Sequence, residues 1–167
     1  MEGSNTRFYH RDAGYAIYRR SLYTFWKRSA PPASMEIFNA PTRENCTVRR
    51  ERTDTPLQAL VTMNDVQFVE AAKTLAERSM ASAPGFDARL DFISNHLLAR
   101  PLTPAERTIV RKEFDDFRAF YTQNPADSEK LLNTGEKRPD PGVDPSDYAA
   151  FTMVTNELLN LDEVLNK

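Results

Sequence analysis

At four places that lead into an apolar helical pattern, a Thr, Asn or Asp stands directly before a proline: Thr55-Pro56, Thr103-Pro104, Asn124-Pro125 and Asp144-Pro145. A side-chain oxygen at the cap position satisfies an orphan N–H, and a proline at the first helical position gives up a donor the helix does not use. Each pair is therefore read as a helix start, and after Thr55 and Thr103 a Gln58 or Glu106 three residues on can bond back to the cap. Apolar residues then recur at helical steps: Ile109, Val110, Phe114, Phe117 and Tyr121 after the second start, and Tyr148, Phe151, Val154, Leu158 and Leu161 after the fourth. Leu131 and Leu132 follow the third start, and Gly135 closes that segment.

Other helices follow from the same reasoning. Leu57, Leu60 and Val61 carry a short one to about Met63, and Asn64 with Gln67 starts another over Phe68, Val69, Ala72, Leu75, Ala76 and Met80. On that helix Glu70, Lys73, Glu77 and Arg78 read as a solvated face. Asp87 is placed to cap a helix through Leu90, Ile93, Leu97 and Leu98 that ends before Pro101, and Ser34–Asn39 has room for one turn. The run from Glu136 to Val143, with Pro139, Pro141 and Gly142, is a loop. No pair of alternating strand patterns joined by a hairpin turn competes with these. The fold class is all-α: an irregular bundle of about six to seven helices with an Arg-rich loop and no substantial sheet. At 167 residues the chain suits one domain able to bury roughly 70% of its unfolded surface. Residues 1–14 read as a flexible N-terminal segment and 15–167 as a single helical domain.

The segment Tyr15–Asp65 holds the only Trp and the only Cys. Tyr15, Tyr18, Leu22, Phe25 and Trp26 recur at steps of three, four, three and one, which predicts a helix that buries aromatics until Pro31 and Pro32 stop it. A charged loop follows, with Arg43, Glu44, Arg49, Arg50, Glu51 and Arg52 crowded between Pro41 and Asp54. Charge is lopsided: residues 1–52 carry ten Lys plus Arg against five acids, and residues 53–167 twelve against nineteen, for a net −2. Two roles fit the arginines. Guanidinium forks hold carboxylate, sulfate or phosphate in bidentate fashion, so Arg43, Arg49, Arg50 and Arg52 beside Trp26 form a candidate anion, carbohydrate or partner surface. Alternatively they pair with acids of the C-terminal half and pin the loop to the bundle.

Catalytic chemistry finds no pattern here, and the catalytic set is none. His10 and His96 have no metal-site spacing, so no metal is expected. Cys46 has no histidine placed beside it and reads as a loop or buried thiol, and Glu44, Glu51 and Asp54 read as solvated or Arg-paired. Two cysteines followed by His, the haem-attachment signature, are absent, so no cofactor is expected in this chain. A nucleic-acid role does not fit a slightly acidic chain without a recognised module. No window reaches the length of a membrane span, and no apolar run of signal length follows the N-terminus.

The wording of three stretches, YRRSLYTFWKRSAPP, APTRENCTVRRERTDTPLQALVTMND and FVEAAKTLAER, resembles the C-terminal part of a bacterial domain of unknown function, number 1553, also called the planctomycete cytochrome c-associated domain or PSD domain. The closing DPSDYAAFTMVTNELLNLDEVLNK resembles that family's C-terminal end. The resemblance implies a secreted or periplasmic parent protein, with haem only in a separate domain of it. It also implies that this chain is the C-terminal portion of a longer domain. No established activity comes with it. The expected function is a non-catalytic helical portion that docks other domains of the parent through the Arg-rich loop. The competing expectations are part of a hydrolase or redox enzyme acting on extracellular polymer, and a carbohydrate- or anion-binding module.

Overall fold

The computed structural model describes residues 12–19, 21–26, 31–49, 51 and 53–165. Among them there are eight α-helices and no strand. The helices are α1 (Ala33–Ile37), α2 (Pro56–Asn64), α3 (Val66–Ser82), α4 (Phe86–Leu97), α5 (Pro104–Gln123), α6 (Pro125–Leu132), α7 (Pro145–Leu159) and α8 (Asp162–Leu165). The chain divides into two compact units, Met1–Gln58 and Ala59–Lys167.

All four proline-marked starts open helices, but their caps differ. Thr103 forms the full reciprocal box: its N–H donates to Glu106 Oε2 at 2.7 Å, and Glu106 N–H donates to Thr103 Oγ1 at 3.3 Å. Thr55 and Gln58 repeat it at 3.0 and 3.3 Å. Asp144 Oδ1 accepts from Asp147 N–H at 2.9 Å. Asn124 makes no cap bond to α6 and turns back, its Nδ2 donating to Phe120 O at 2.8 Å at the end of α5. Two expected caps move. Asp65, not Asn64, caps α3 by accepting from Gln67 N–H at 2.8 Å, while Asn64 Nδ2 donates to Leu60 O of α2. α4 is entered through Gly85 at φ 77°, a left-handed turn that favours glycine, and Asp87 sits inside its first turn, ion-paired to Arg111.

In the unit Ala59–Lys167, α7 is the central element and packs against α3, α4, α5, α6 and α8. It is buried on nearly all sides, which its sequence permits because Ala149 and Ala150 let neighbours approach and two of its threonine hydroxyls bond within the helix. Thr152 donates to Tyr148 O at 2.8 Å and Thr155 to Phe151 O at 2.6 Å. Around it lie Ala76, Leu90, Ile93, Leu98, Leu102, Phe114 and Leu132. Phe114 joins Phe86 and Phe151 at ring separations of 4.9 and 4.5 Å, pairs that add about 0.5–1.5 kcal/mol each beyond area burial. Two bonds hold residues 59–64 of α2 within this unit: Thr62 Oγ1 donates to Asn160 Oδ1 at 2.5 Å, and Asn156 Nδ2 to Met63 O at 3.1 Å.

Candidate functional site

In the unit Met1–Gln58 the expected aromatic helix does not form. Two 3-10 turns, Gly14–Tyr18 and Ser21–Tyr23, stand in its place. Tyr15, Tyr18, Leu22, Tyr23 and Phe25 are between 56% and 78% exposed, and Trp26 is half-buried. The chain leaves helical geometry at Arg19, whose backbone is extended at φ −70°, ψ 149°. Its side chain folds back on Tyr15, donating to the phenol oxygen at 2.9 Å, with the guanidinium carbon 5.1 Å from the ring centre. The periodicity thus marks aromatic spacing without a core to receive it.

The segment after α1 is fixed by polar contacts. Gln58, buried, donates through Nε2 to Ile37 O and to Thr53 Oγ1, both at 2.8 Å, and Asn39 Nδ2 donates to the same Thr53 oxygen at 2.8 Å. Asn39 and Arg43 adopt left-handed backbone, φ 51° and 65°, so the chain reverses at both. For Arg43 this conformation costs about 1–2 kcal/mol. It brings the guanidinium carbon to 5.3 Å from the Trp26 ring centre and Nη1 to 3.4 Å from Thr24 O. Two of the five expected site residues, Arg43 and Trp26, are therefore together. Arg49 lies in the exposed run 41–49 with no hydrogen bond or ion pair among the described residues. Arg50 and Arg52 lie outside the described residues, as does His10. Cys46 is an exposed free thiol in the same run.

A second cluster was hidden from sequence reasoning, and it overturns the solvated face expected on α3 at Glu70 and Lys73, while Arg78 is exposed as expected. Glu70 is 3% and Lys73 0% exposed. The loop after α6 lies over them and supplies the partners. Lys73 Nζ donates to three carbonyls, Leu132 at 2.9 Å, Thr134 at 2.6 Å and Lys137 at 2.7 Å. Glu70 Oε1 accepts from the N–H groups of Glu136 at 2.9 Å and Lys137 at 2.7 Å. One turn on, Glu77 pairs with the Lys137 ammonium and accepts from Tyr148 Oη at 3.4 Å. Gly135 crosses this site at φ 85°, where a Cβ would lie 2.4 Å from Glu70 Cδ. The spacing of residues 70, 73 and 77 along one helical face is visible in the sequence, but the loop that covers them is some sixty residues away.

Electrostatics follow burial. Desolvation lowers the Lys73 pKa, opposed by the charges of Glu70 and Glu77, while Lys137 and Arg138 lower it further. Burial also pushes the Tyr148 phenol well up, reinforced by Glu77. Glu157 is raised by burial and then by Glu113. On the surface, Arg100 bridges Glu106 and Glu163, and its hydrogen bond leads the effects that hold the Glu106 carboxyl at about 2. Lys73 and the Arg100–Glu106 pair each hold backbone atoms. His96 Nδ1 lies 2.7 Å from Phe92 O, which makes it a donor to its own helix. Among the described residues no group of three or more His, Cys, Asp and Glu side chains is placed to hold a metal ion, and no helix is long and apolar enough to cross a membrane.

The model of one protein family, PSD1, described as a protein of unknown function (DUF1553), matches residues 1–114. That match takes in the aromatic turns, the arginine loop and α1 to α4, and reaches into α5; the closing stretch 144–167 lies beyond it. No curated protein and no solved structure matches the chain. With well over half of its residues matched, including those that hold Trp26 and Arg43, the chain belongs to the DUF1553 family.

Proposed function

We propose that this chain is a non-catalytic helical portion of an extracytoplasmic bacterial protein that docks other domains of that protein. The docking segment is Tyr15 to Arg52, with Trp26, Arg43, Arg49, Arg50 and Arg52 as contact residues. One observation carries this reading: five large apolar or aromatic side chains within eleven consecutive residues face water in a chain that elsewhere builds a dense core. Burying each would contribute about 1.5–3 kcal/mol, and exposed clusters of this kind mark interaction surfaces. Tyr, Trp and Arg are also the residue types in which interface energy concentrates. The exposed Arg49 suits an acidic rim on the partner. A carbohydrate platform is supported less, because Arg43 already stacks on the Trp26 ring.

The test is solvent labelling of these aromatics in the isolated chain and in the longer parent protein. Docking requires that Tyr15, Tyr18, Tyr23 and Phe25 label readily alone and are protected in the parent.

A further inference from the structure

A cleft of about 330 Å³ opens between α6, the loop that follows it and α7. Pro125, Pro139, Pro141 and Pro145 line it together with Leu132 and Tyr148, which are buried. Small-molecule sites have this character: a few hundred Å³, mostly apolar, with few polar groups. Two carboxylates, Glu129 and Asp140, line the same cleft and no lysine or arginine does. Asp140 Oδ1 accepts from Gly142 N–H at 2.9 Å, and Glu129 has no side-chain partner among the described residues. Arg138 reaches the edge only by donating to Asn133 Oδ1 at 3.2 Å.

The wall of this cleft is held in place in an unusual way. Prolines fix φ along it, and the chain that runs from Leu132 towards it is gripped through main-chain atoms by Lys73 and Glu70. Buried charges bring little net stability compared with an apolar pair of the same volume. What they supply here is one fixed path for residues 132–137, and so a cleft already formed before anything enters it. A preformed site avoids the ordering cost that weakens binding.

From this arrangement we propose that the cleft binds a small organic monocation with an apolar body, the body against Leu132 and the prolines and the ammonium between Glu129 and Asp140. This site is independent of the docking segment. The probes are 2-phenylethylammonium and phenylacetate, which share a skeleton and differ in the sign of charge, titrated into the full chain at neutral pH and followed by amide and methyl NMR shifts. The cation should saturate, shifting Leu132, Val143 and Tyr148, and phenylacetate should not. The exposed double substitution Glu129→Gln with Asp140→Asn should leave the spectrum folded and weaken the cation roughly tenfold, the product of two exposed charge contacts. The proposal is overturned if neither probe binds there, if phenylacetate binds as tightly as the cation, or if the double variant keeps wild-type affinity.

Discussion

Gly135→Ala should cost far more than a glycine substitution on a loop ordinarily does. The residue sits at φ 85°, so any L side chain there carries about 1–2 kcal/mol of backbone strain. The added methyl would also meet Glu70 Cδ at 2.4 Å, Oε2 at 2.5 Å and Cβ at 2.9 Å. Glu70 has nowhere to go without giving up at least one of its bonds to the N–H groups of Glu136 and Lys137, each charge-assisted and contributing about 1.5–3 kcal/mol. The total is about 2.5–5 kcal/mol, and at about 4 °C per kcal/mol for a unit of this size the melting midpoint should fall by about 10–20 °C. Gly85→Ala is the control, because Gly85 has a similar φ of 77° but nothing within 4 Å of the new methyl. It should lose only the strain part, about 4–8 °C by the same conversion. Thermal unfolding followed by far-UV circular dichroism reads both. In a Glu70→Ala background, most of the excess at Gly135 should vanish. If Gly135→Ala and Gly85→Ala lower the midpoint equally, the grip of α3 on the loop does not exist as described.

Two further outcomes follow from the same contacts. Glu106 titrates at about 2 in the folded chain against an ordinary 4.5, so its contribution to stability is complete above pH 4.5 and is lost as pH falls towards 2. Urea midpoints measured across that window should therefore drop less steeply in Glu106→Gln, and an unchanged slope would show that Arg100 does not hold the carboxylate. Arg43→Ala should change the emission of Trp26, the only indole, while moving the bundle's unfolding by less than about 1 kcal/mol, the scale of an exposed cation–π contact. An unchanged emission spectrum would remove the stacked pair from the account.

What the sequence disclosed and what it hid divide along one line, the distance over which the determining contact acts. Thr103, Pro104 and Glu106 lie within four residues of one another, and their box forms as the local chemistry requires. The same is true of Thr55 with Gln58 and of Asp144 with Asp147. The buried stripe Tyr148, Phe151, Val154 and Leu158 was legible because its period is set by the helix itself, although Leu161 falls past the end of α7 and is 40% exposed. Lys73 failed this test. Nothing near it in sequence distinguishes it from a solvated lysine, and its burial depends on carbonyls of residues 132, 134 and 137. Tyr15 to Trp26 failed in the opposite sense, since helical spacing states which side chains share a face but not whether a core exists to cover them. Of the expected site, the pairing of Arg43 with Trp26 needed the left-handed backbone at Arg43, which no residue type there announces.

The docking reading stands or falls on whether the aromatic turns are covered in the whole protein. Hydroxyl-radical labelling with mass-spectrometric readout of Tyr15, Tyr18, Tyr23 and Phe25 measures this residue by residue, with Phe120 of the other unit, 49% exposed, as the internal reference. Coverage predicts that all four react freely in the isolated chain and are several-fold slower in the parent protein, while Phe120 reacts at the same rate in both. Equal rates for the four aromatics in the two proteins would contradict it.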